Sequence, residues 1–273
     1  MNECKTMDKV TGENFLKKIH KEIIMCNQQY KLPWSLLSRI NEEYMGHLQN
    51  KDGQCFFYQW LAHLVKIVKP NLILELGSGE GLSTLMLFSE LSDTARLVSC
   101  DLVNRLDFIP PDVFNDPRFK FYPGNDLNLN IFGNDLPVGI DMLFIDTIHT
   151  FTQISAEWRI YKHLCNSGAI VILDDIRMND MFDFWESLSY PKLELTKECH
   201  FSGFGFFLYE SDSNPNPLNA YHEALQNVFE QYDLMKDEIK RNTFISLIWK
   251  KIANRLHLKE ATLRNNKKLK EDL

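Results

Sequence analysis

The chain has 273 residues, 44% of them hydrophobic and 12% aromatic, enough to bury one α/β core with additional helices. Its net charge of −7 is unevenly spread: residues 241–273 hold nine Lys/Arg against three Asp/Glu, so the first 240 carry −13. An acidic body argues against a nucleic-acid groove in the main domain, because phosphate binding needs concentrated positive charge.

Residues 1–68 read as a helical cap. Asn14–Tyr30, Ser35–Leu48 and Phe56–Val68 carry apolar residues at spacings of three and four, punctuated by Pro33 and by Asp52-Gly53. The six cysteines (4, 26, 55, 100, 165 and 199) are dispersed, with no Cys-x-x-Cys pair, and are expected as reduced thiols in a cytoplasmic protein. The start, Met-Asn-Glu-Cys-Lys, lacks the apolar run of a signal peptide, and no apolar stretch is long enough to span a bilayer.

From Leu72 the pattern changes to strand, helix, strand. Strands are predicted at Leu72–Leu76, Ala95–Cys100, Phe119–Tyr122, Ile140–Ile145 and Ala169–Leu173, with helices at Leu82–Leu91, Phe151–Leu164 and about Met178–Leu188. Apolar strands alternating with helices imply a parallel sheet covered on both faces. Lys192–Thr196 and Phe204–Tyr209 are joined without a crossover helix, so the last strand should run antiparallel to the rest. A linker, Ser211–Pro217, leads to amphipathic segments at 218–241 and 244–258. The expected domains are therefore the cap (1–68), a cofactor-binding α/β domain (69–210) and a helical extension (211–273).

The first strand ends in Glu75-Leu-Gly77-Ser78-Gly79-Glu-Gly81-Leu-Ser83, a glycine turn that opens a helix. Such a turn lets backbone N–H groups approach a ligand, and the helix start favours negative charge. It departs from the dinucleotide fingerprint because Leu82 stands where a third glycine would be. The second strand ends in Asp101, placed to accept from ribose hydroxyls, which suits NAD and S-adenosylmethionine equally. Gly124-Asn125-Asp126 follows the third strand and suits an adenine edge.

Ligands of a doubly wound sheet bind beyond the carboxyl ends of the strands. There the fourth strand supplies Asp146-Thr-Ile-His149 and the fifth Asp174-Asp175. Three carboxylates so placed repel one another unless a cation sits among them, and hard oxygen ligands select Mg²⁺ or a similar ion. The plainer alternative is that Asp174 or Asp175 caps the next helix. His149, beside this cluster, has the chemistry of a general base.

Glu75-x-Gly77-x-Gly79-x-Gly81-x-Ser83, Asp101, Asp146-x-x-His149-Thr150-Phe151 and Asp174-Asp175 together resemble a class I S-adenosylmethionine-dependent methyltransferase. The nearer similarity is to metal-dependent O-methyltransferases of natural-product and sugar tailoring, including macrolide-sugar methyltransferases and cephalosporin-hydroxylase-like proteins. The resemblance covers about residues 55–210. It implies a Rossmann-like seven-stranded sheet with an antiparallel last strand. It also implies a cofactor site of Glu75, Gly77, Ser78, Gly79, Ser83, Asp101, Asn125, Asp126 and Asp146. Asp146, Asp174 and Asp175 would hold Mg²⁺ or a similar divalent cation, with His149 as base. Thr147-Ile148 stands where the family often has Gly-Asp, and Asp-Asp where it often has Glu-Asp or Asp-Asn.

The expected reaction is methyl transfer to a hydroxyl of a small molecule. Competing readings are a metal-independent N- or O-methyltransferase, an NAD-binding oxidoreductase, and a non-catalytic protein that keeps the fold. Tyr30, Trp34 and Tyr44, with the segment Met178–Trp185, are candidates for a substrate lid. The apolar stripe at 244, 248, 252 and 256, flanked by Lys250, Lys251, Arg255 and Lys259, is expected to dock on protein, its own domain or a second copy, in preference to an anionic membrane.

Overall fold

The computed structural model describes residues 12, 14–19, 56–106, 109–196 and 202–211. The helices expected at Ser35–Leu48 and beyond 211, with Tyr30, Trp34, Tyr44 and the apolar stripe with its basic flanks, lie outside the described residues.

Leu-Ile-Leu-Glu-Leu forms β1 (Leu72–Leu76), and all five side chains are buried. A strand without a polar face needs cover on both sides, as parallel sheets with crossover helices supply. In chain order the elements are α1 (Phe56–Val68), β1, α2 (Leu82–Ser89), β2 (Arg96–Asp101), α3 (Pro111–Phe114), β3 (Phe119–Pro123), a 3₁₀ segment (Leu129–Asp135), β4 (Ile140–Ile145), α4 (Phe151–Tyr161), β5 (Cys165–Asp174), α5 (Met181–Ser187), β6 (Lys192–Glu194) and β7 (Phe204–Leu208). The seven strands lie in the order β3-β2-β1-β4-β5-β7-β6. The five strands β1 to β5 pair in parallel, whereas β7 is antiparallel to both β5 and β6. The antiparallel ending expected from the hairpin pattern is therefore present.

Alternation along the strands divides the core. Ile73, Leu97, Met142, Phe144, Ile170, Ile172 and Phe206 join Trp60, Leu61, Leu64 and Val65 of α1 and Leu85 and Met86 of α2 in one cluster, with Leu16 and Ile19 of the N-terminal region added to it. On α4, Trp158 meets the rings of Phe207 and Tyr209 edge-on, with centroids 5.0 and 5.2 Å away. Losing a buried aromatic such as Trp60 or Trp158 from either layer would cost about 3–5 kcal/mol.

Element boundaries differ from the predicted ones where tertiary pairing intervenes. β5 starts at Cys165, before the expected Ala169, because β4 reaches its partner through a register shift between Ile140 and Met142. β6 keeps three residues of the expected five; it pairs with β7 alone, at the sheet's edge. α4 stops at Tyr161, short of Leu164, whose carbonyl instead accepts from the N–H groups of Gly139 and Ile140. Among the described residues no helix is long and apolar enough to cross a membrane.

Candidate active site

The three strand ends at the middle of the sheet, β2, β1 and β4, build a cleft of about 320 Å³. Gly77, Ser78, Gly79, Glu80, Leu82 and Ser83 of the turn and the start of α2 line it, together with Asp101, Arg105 and Asp146. Its floor is set by a backbone approach that only glycine allows. A Cβ on Gly77 would fall 1.8 Å from the carbonyl oxygen of Asp146, and the residue has φ +83°. The turn is tied to β2 as well, since the Gly79 N–H donates to Oδ2 of Asp101 at 2.9 Å.

Glu75 does not reach the cleft. It is fully buried, and its carboxyl group accepts from the hydroxyls of Ser83 and Thr84 at 2.6 Å each and of Ser99 at 2.5 Å. Burial raises its pKa, against the opposing effect of those three hydroxyls. This acid fastens the start of α2 to the sheet, so it shapes the glycine turn from behind. Ser78, by contrast, is on the cleft wall with a buried Oγ that has no protein partner, an orphaned group of the kind a ligand satisfies.

Asn125 and Asp126 leave β3 in a tight turn, where Oδ1 of each accepts from the Leu127 N–H, at 2.9 and 3.1 Å. The Asp126 side chain is buried and points into a polar network on α4. Gln153 Nε2 lies 3.4 Å from its Oδ2, and the Tyr161 hydroxyl donates to its backbone carbonyl at 2.5 Å. Glu157 belongs to this network and was not among the residues singled out from the sequence. Neither were Glu80, Leu82 and Arg105 of the cleft. An isolated Glu within a helical pattern carries no signal of this kind before its neighbours are known.

Beside the cleft, β4 and β5 end in the acidic cluster. His149 Nε2 lies 3.1 Å from Oδ2 of Asp175 and 3.9 Å from Oδ1 of Asp146. Ligand atoms of Asp146, His149 and Asp175 all fall within 4.8 Å of one another. Asp174, expected as the third member, is not part of this group; its Oδ1 accepts from the Asp175 N–H at 2.9 Å and its side chain is buried. Asp174 still acts on the cluster through its charge. The Asp146 carboxyl group has its pKa pushed well above the usual range by desolvation, then by Asp174, Asp175, Glu75 and Asp101. Asp175 turns toward His149 through a left-handed backbone, φ +53°. Neither aspartate caps α5, whose N-cap position is Asp180.

The loop after β5 also braces the loop after β4. Asn179 Nδ2 donates to the His149 carbonyl at 2.8 Å, and Asp180 Oδ1 accepts from the Phe151 N–H at 2.7 Å. Met181, Phe184 and Trp185 of the proposed lid segment are buried in the core, so these side chains serve packing and not a pocket wall.

Two carboxylates and an imidazole around one point fit a divalent cation by donor chemistry, and the charge repulsion raising the Asp146 pKa is what such an ion would relieve. The glycine turn, the orphaned Ser78 hydroxyl and Asp101 fit a nucleoside cofactor. A sheet in this strand order, with its last strand antiparallel and this turn after β1, defines the class I S-adenosylmethionine-dependent methyltransferase fold. Residues 74–176 match the family model described as a methyltransferase domain.

Solved structures with this fold include an O-methyltransferase from Bacillus cereus in complex with S-adenosylhomocysteine, 20% identical. That match covers 69% of this chain and 96% of the other, with a TM-score of 0.51. TomG from Streptomyces achromogenes, an O-methyltransferase of tomaymycin synthesis bound to S-adenosylmethionine, is 17% identical over 77% of this chain and 100% of its own, TM-score 0.51. The S-adenosylhomocysteine-bound methyltransferase PaMTH1 of Podospora anserina is 16% identical over 73% and 97%, TM-score 0.51. No curated protein sequence matches the chain.

Proposed function

We propose that the protein transfers the methyl group of S-adenosylmethionine to a hydroxyl of a small molecule, a sugar or secondary metabolite, in the cytoplasm. The observation that carries this reading is His149, held 3.1 Å from Asp175 beside Asp146, a residue of the cleft wall. The acceptor oxygen attacks the methyl carbon as the carbon–sulfur bond breaks. S-adenosylhomocysteine leaves, and the hydroxyl proton passes to Nδ1 of His149, the ring nitrogen that Asp175 does not engage.

In this reading Ser78, Gly79 and Asp101 hold the cofactor, and Asp175 orients the imidazole. Asp146 and Asp175, with Asp174 adding charge from behind, would hold Mg²⁺ or a similar ion, which when bound lowers the pKa of a hydroxyl and orients it. Alignment of the two reactants in the cleft contributes at best roughly 7–11 kcal/mol. The three O-methyltransferase and methyltransferase neighbours support the reaction class, and the acidic cluster supports the metal.

The His149–Asp175 pair favours one second reading. At 3.1 Å the two already form a base and its orienting acid, so a metal-independent transfer would use the same residues. Methyl transfer to a panel of polyhydroxylated sugars and phenols, with and without EDTA, separates the two. Activity lost with the chelator and restored by Mg²⁺ supports the metal-assisted reaction, and chelator-resistant turnover supports the other. Absence of S-adenosylhomocysteine binding would remove both. The helical flanks are proposed for contact with a second copy of the chain.

A further inference from the structure

Glu157 sits in the middle of α4 with no solvent exposure, an acid that packing alone would not call for. Its Oε1 accepts from the Thr147 hydroxyl at 2.6 Å and from Gln153 Nε2 at 2.5 Å. The same Gln153 amide reaches toward Asp126 at 3.4 Å, so one donor links the two acids. Thr147 follows Asp146 of the cleft wall. Asp126 lies three residues past Pro123, which pairs with Asp101 across the strand ends. Glu157, with Gln153, therefore links the exit of β3 to the exit of β4, where Asp146 lines the cleft.

We propose that Glu157 is a positioning residue for the cofactor: it accepts from Thr147 and from the Gln153 amide that also reaches Asp126, and so sets the adenine side of the cleft. The inference rests on the reading that S-adenosylmethionine occupies the cleft. Glu157 fits this place as a neutral acid, because its Oε1 takes two donors while its Oε2 is buried without a hydrogen-bond partner, where a negative charge would go uncompensated. Burial and the Asp126 charge both hold the Glu157 pKa well above its usual range, in accord with that assignment.

Calorimetric titration of the full chain with S-adenosylhomocysteine, and with its 6-oxo analogue S-inosylhomocysteine, tests the proposal without knowledge of the methyl acceptor. Glu157→Gln preserves one donor and one acceptor and should bind S-adenosylhomocysteine within about threefold of wild type, a change under the value of one hydrogen bond. Glu157→Ala should weaken it by about tenfold or more and reduce the preference for the 6-amino over the 6-oxo nucleoside. If Glu157→Ala does not fold, Thr147→Val removes only the hydroxyl donor and should weaken binding several-fold. Wild-type affinity and wild-type base preference in Glu157→Ala or Thr147→Val would overturn the proposal. So would Glu157→Gln binding as poorly as Glu157→Ala. Failure of the wild-type chain to bind S-adenosylhomocysteine would instead overturn the cofactor reading beneath it.

Discussion

The imidazole of His149 and the carboxylate of Asp175 approach to 3.1 Å although 26 positions separate them in the chain. The contact exists because β4 and β5 are parallel neighbours and end side by side, with Ile145 paired to Leu173. Each residue leaves its strand end toward the same point. The left-handed turn at Asp175 and the Asn179 bond to the His149 carbonyl complete the arrangement.

Removing the imidazole should abolish proton transfer and spare the cofactor site. His149→Ala is expected to lower kcat by about 10²–10⁴, the usual contribution of a positioned general base. Its affinity for S-adenosylhomocysteine should stay near wild type by calorimetry, because His149 is not among the cleft-lining residues.

Metal binding should depend on both strand ends. Mn²⁺ titrated into the purified chain should bind with an affinity reduced at least 10–100-fold in Asp146→Asn and in Asp175→Asn, since even outer-shell changes cost about that much. Equal Mn²⁺ affinity in wild type and both variants would remove the cation from this site.

Two glycines of one turn should respond differently to a methyl group. Gly79→Ala finds no atom within 4 Å and should cost only the roughly 1–2 kcal/mol of a left-handed backbone at φ +51°. Gly77→Ala meets the Asp146 carbonyl as well, so it should be more destabilising and should lose S-adenosylhomocysteine binding. Thermal melts of the two variants with and without S-adenosylhomocysteine measure the difference.

Rising pH should expose the buried acid of α4. The Glu157 pKa is raised in the folded chain above its ordinary value of 4.5, so the native state binds the proton more tightly than the unfolded one. Its stabilising contribution is complete below that ordinary value and drains away as pH climbs through the raised one. Glu157→Gln, which has no proton to lose, should therefore gain stability relative to wild type as the pH increases. Chemical denaturation at several pH values would show it, and a pH-independent difference would refute it.

Much of this architecture was legible in the residues. Phe56–Val68 and Leu72–Leu76 stand where periodicity placed them, because a 3.6-residue stripe and a run of apolar residues each admit one regular backbone. The hairpin signal between Lys192 and Tyr209 foretold the antiparallel ending. The glycine turn and Asp101 could be assigned to one cleft because both sit at strand ends. Side-chain direction was another matter. Glu75 reads like a ligand-facing acid in the motif, yet it points inward to three hydroxyls.

The order of apolar strands and helices, the glycine turn and the acids at strand ends were thus set by local pattern, since backbone preference and burial act over a few residues. Which acid meets which partner was decided by the sheet's register and the loops beyond it. Those choose His149 over Asp174 as the third member beside Asp146 and Asp175, and bring Glu157 to Asp126 and Thr147. Hydrogen bonds and charge repulsion fall off within a few ångströms, so such pairings are invisible until distant segments have been packed together.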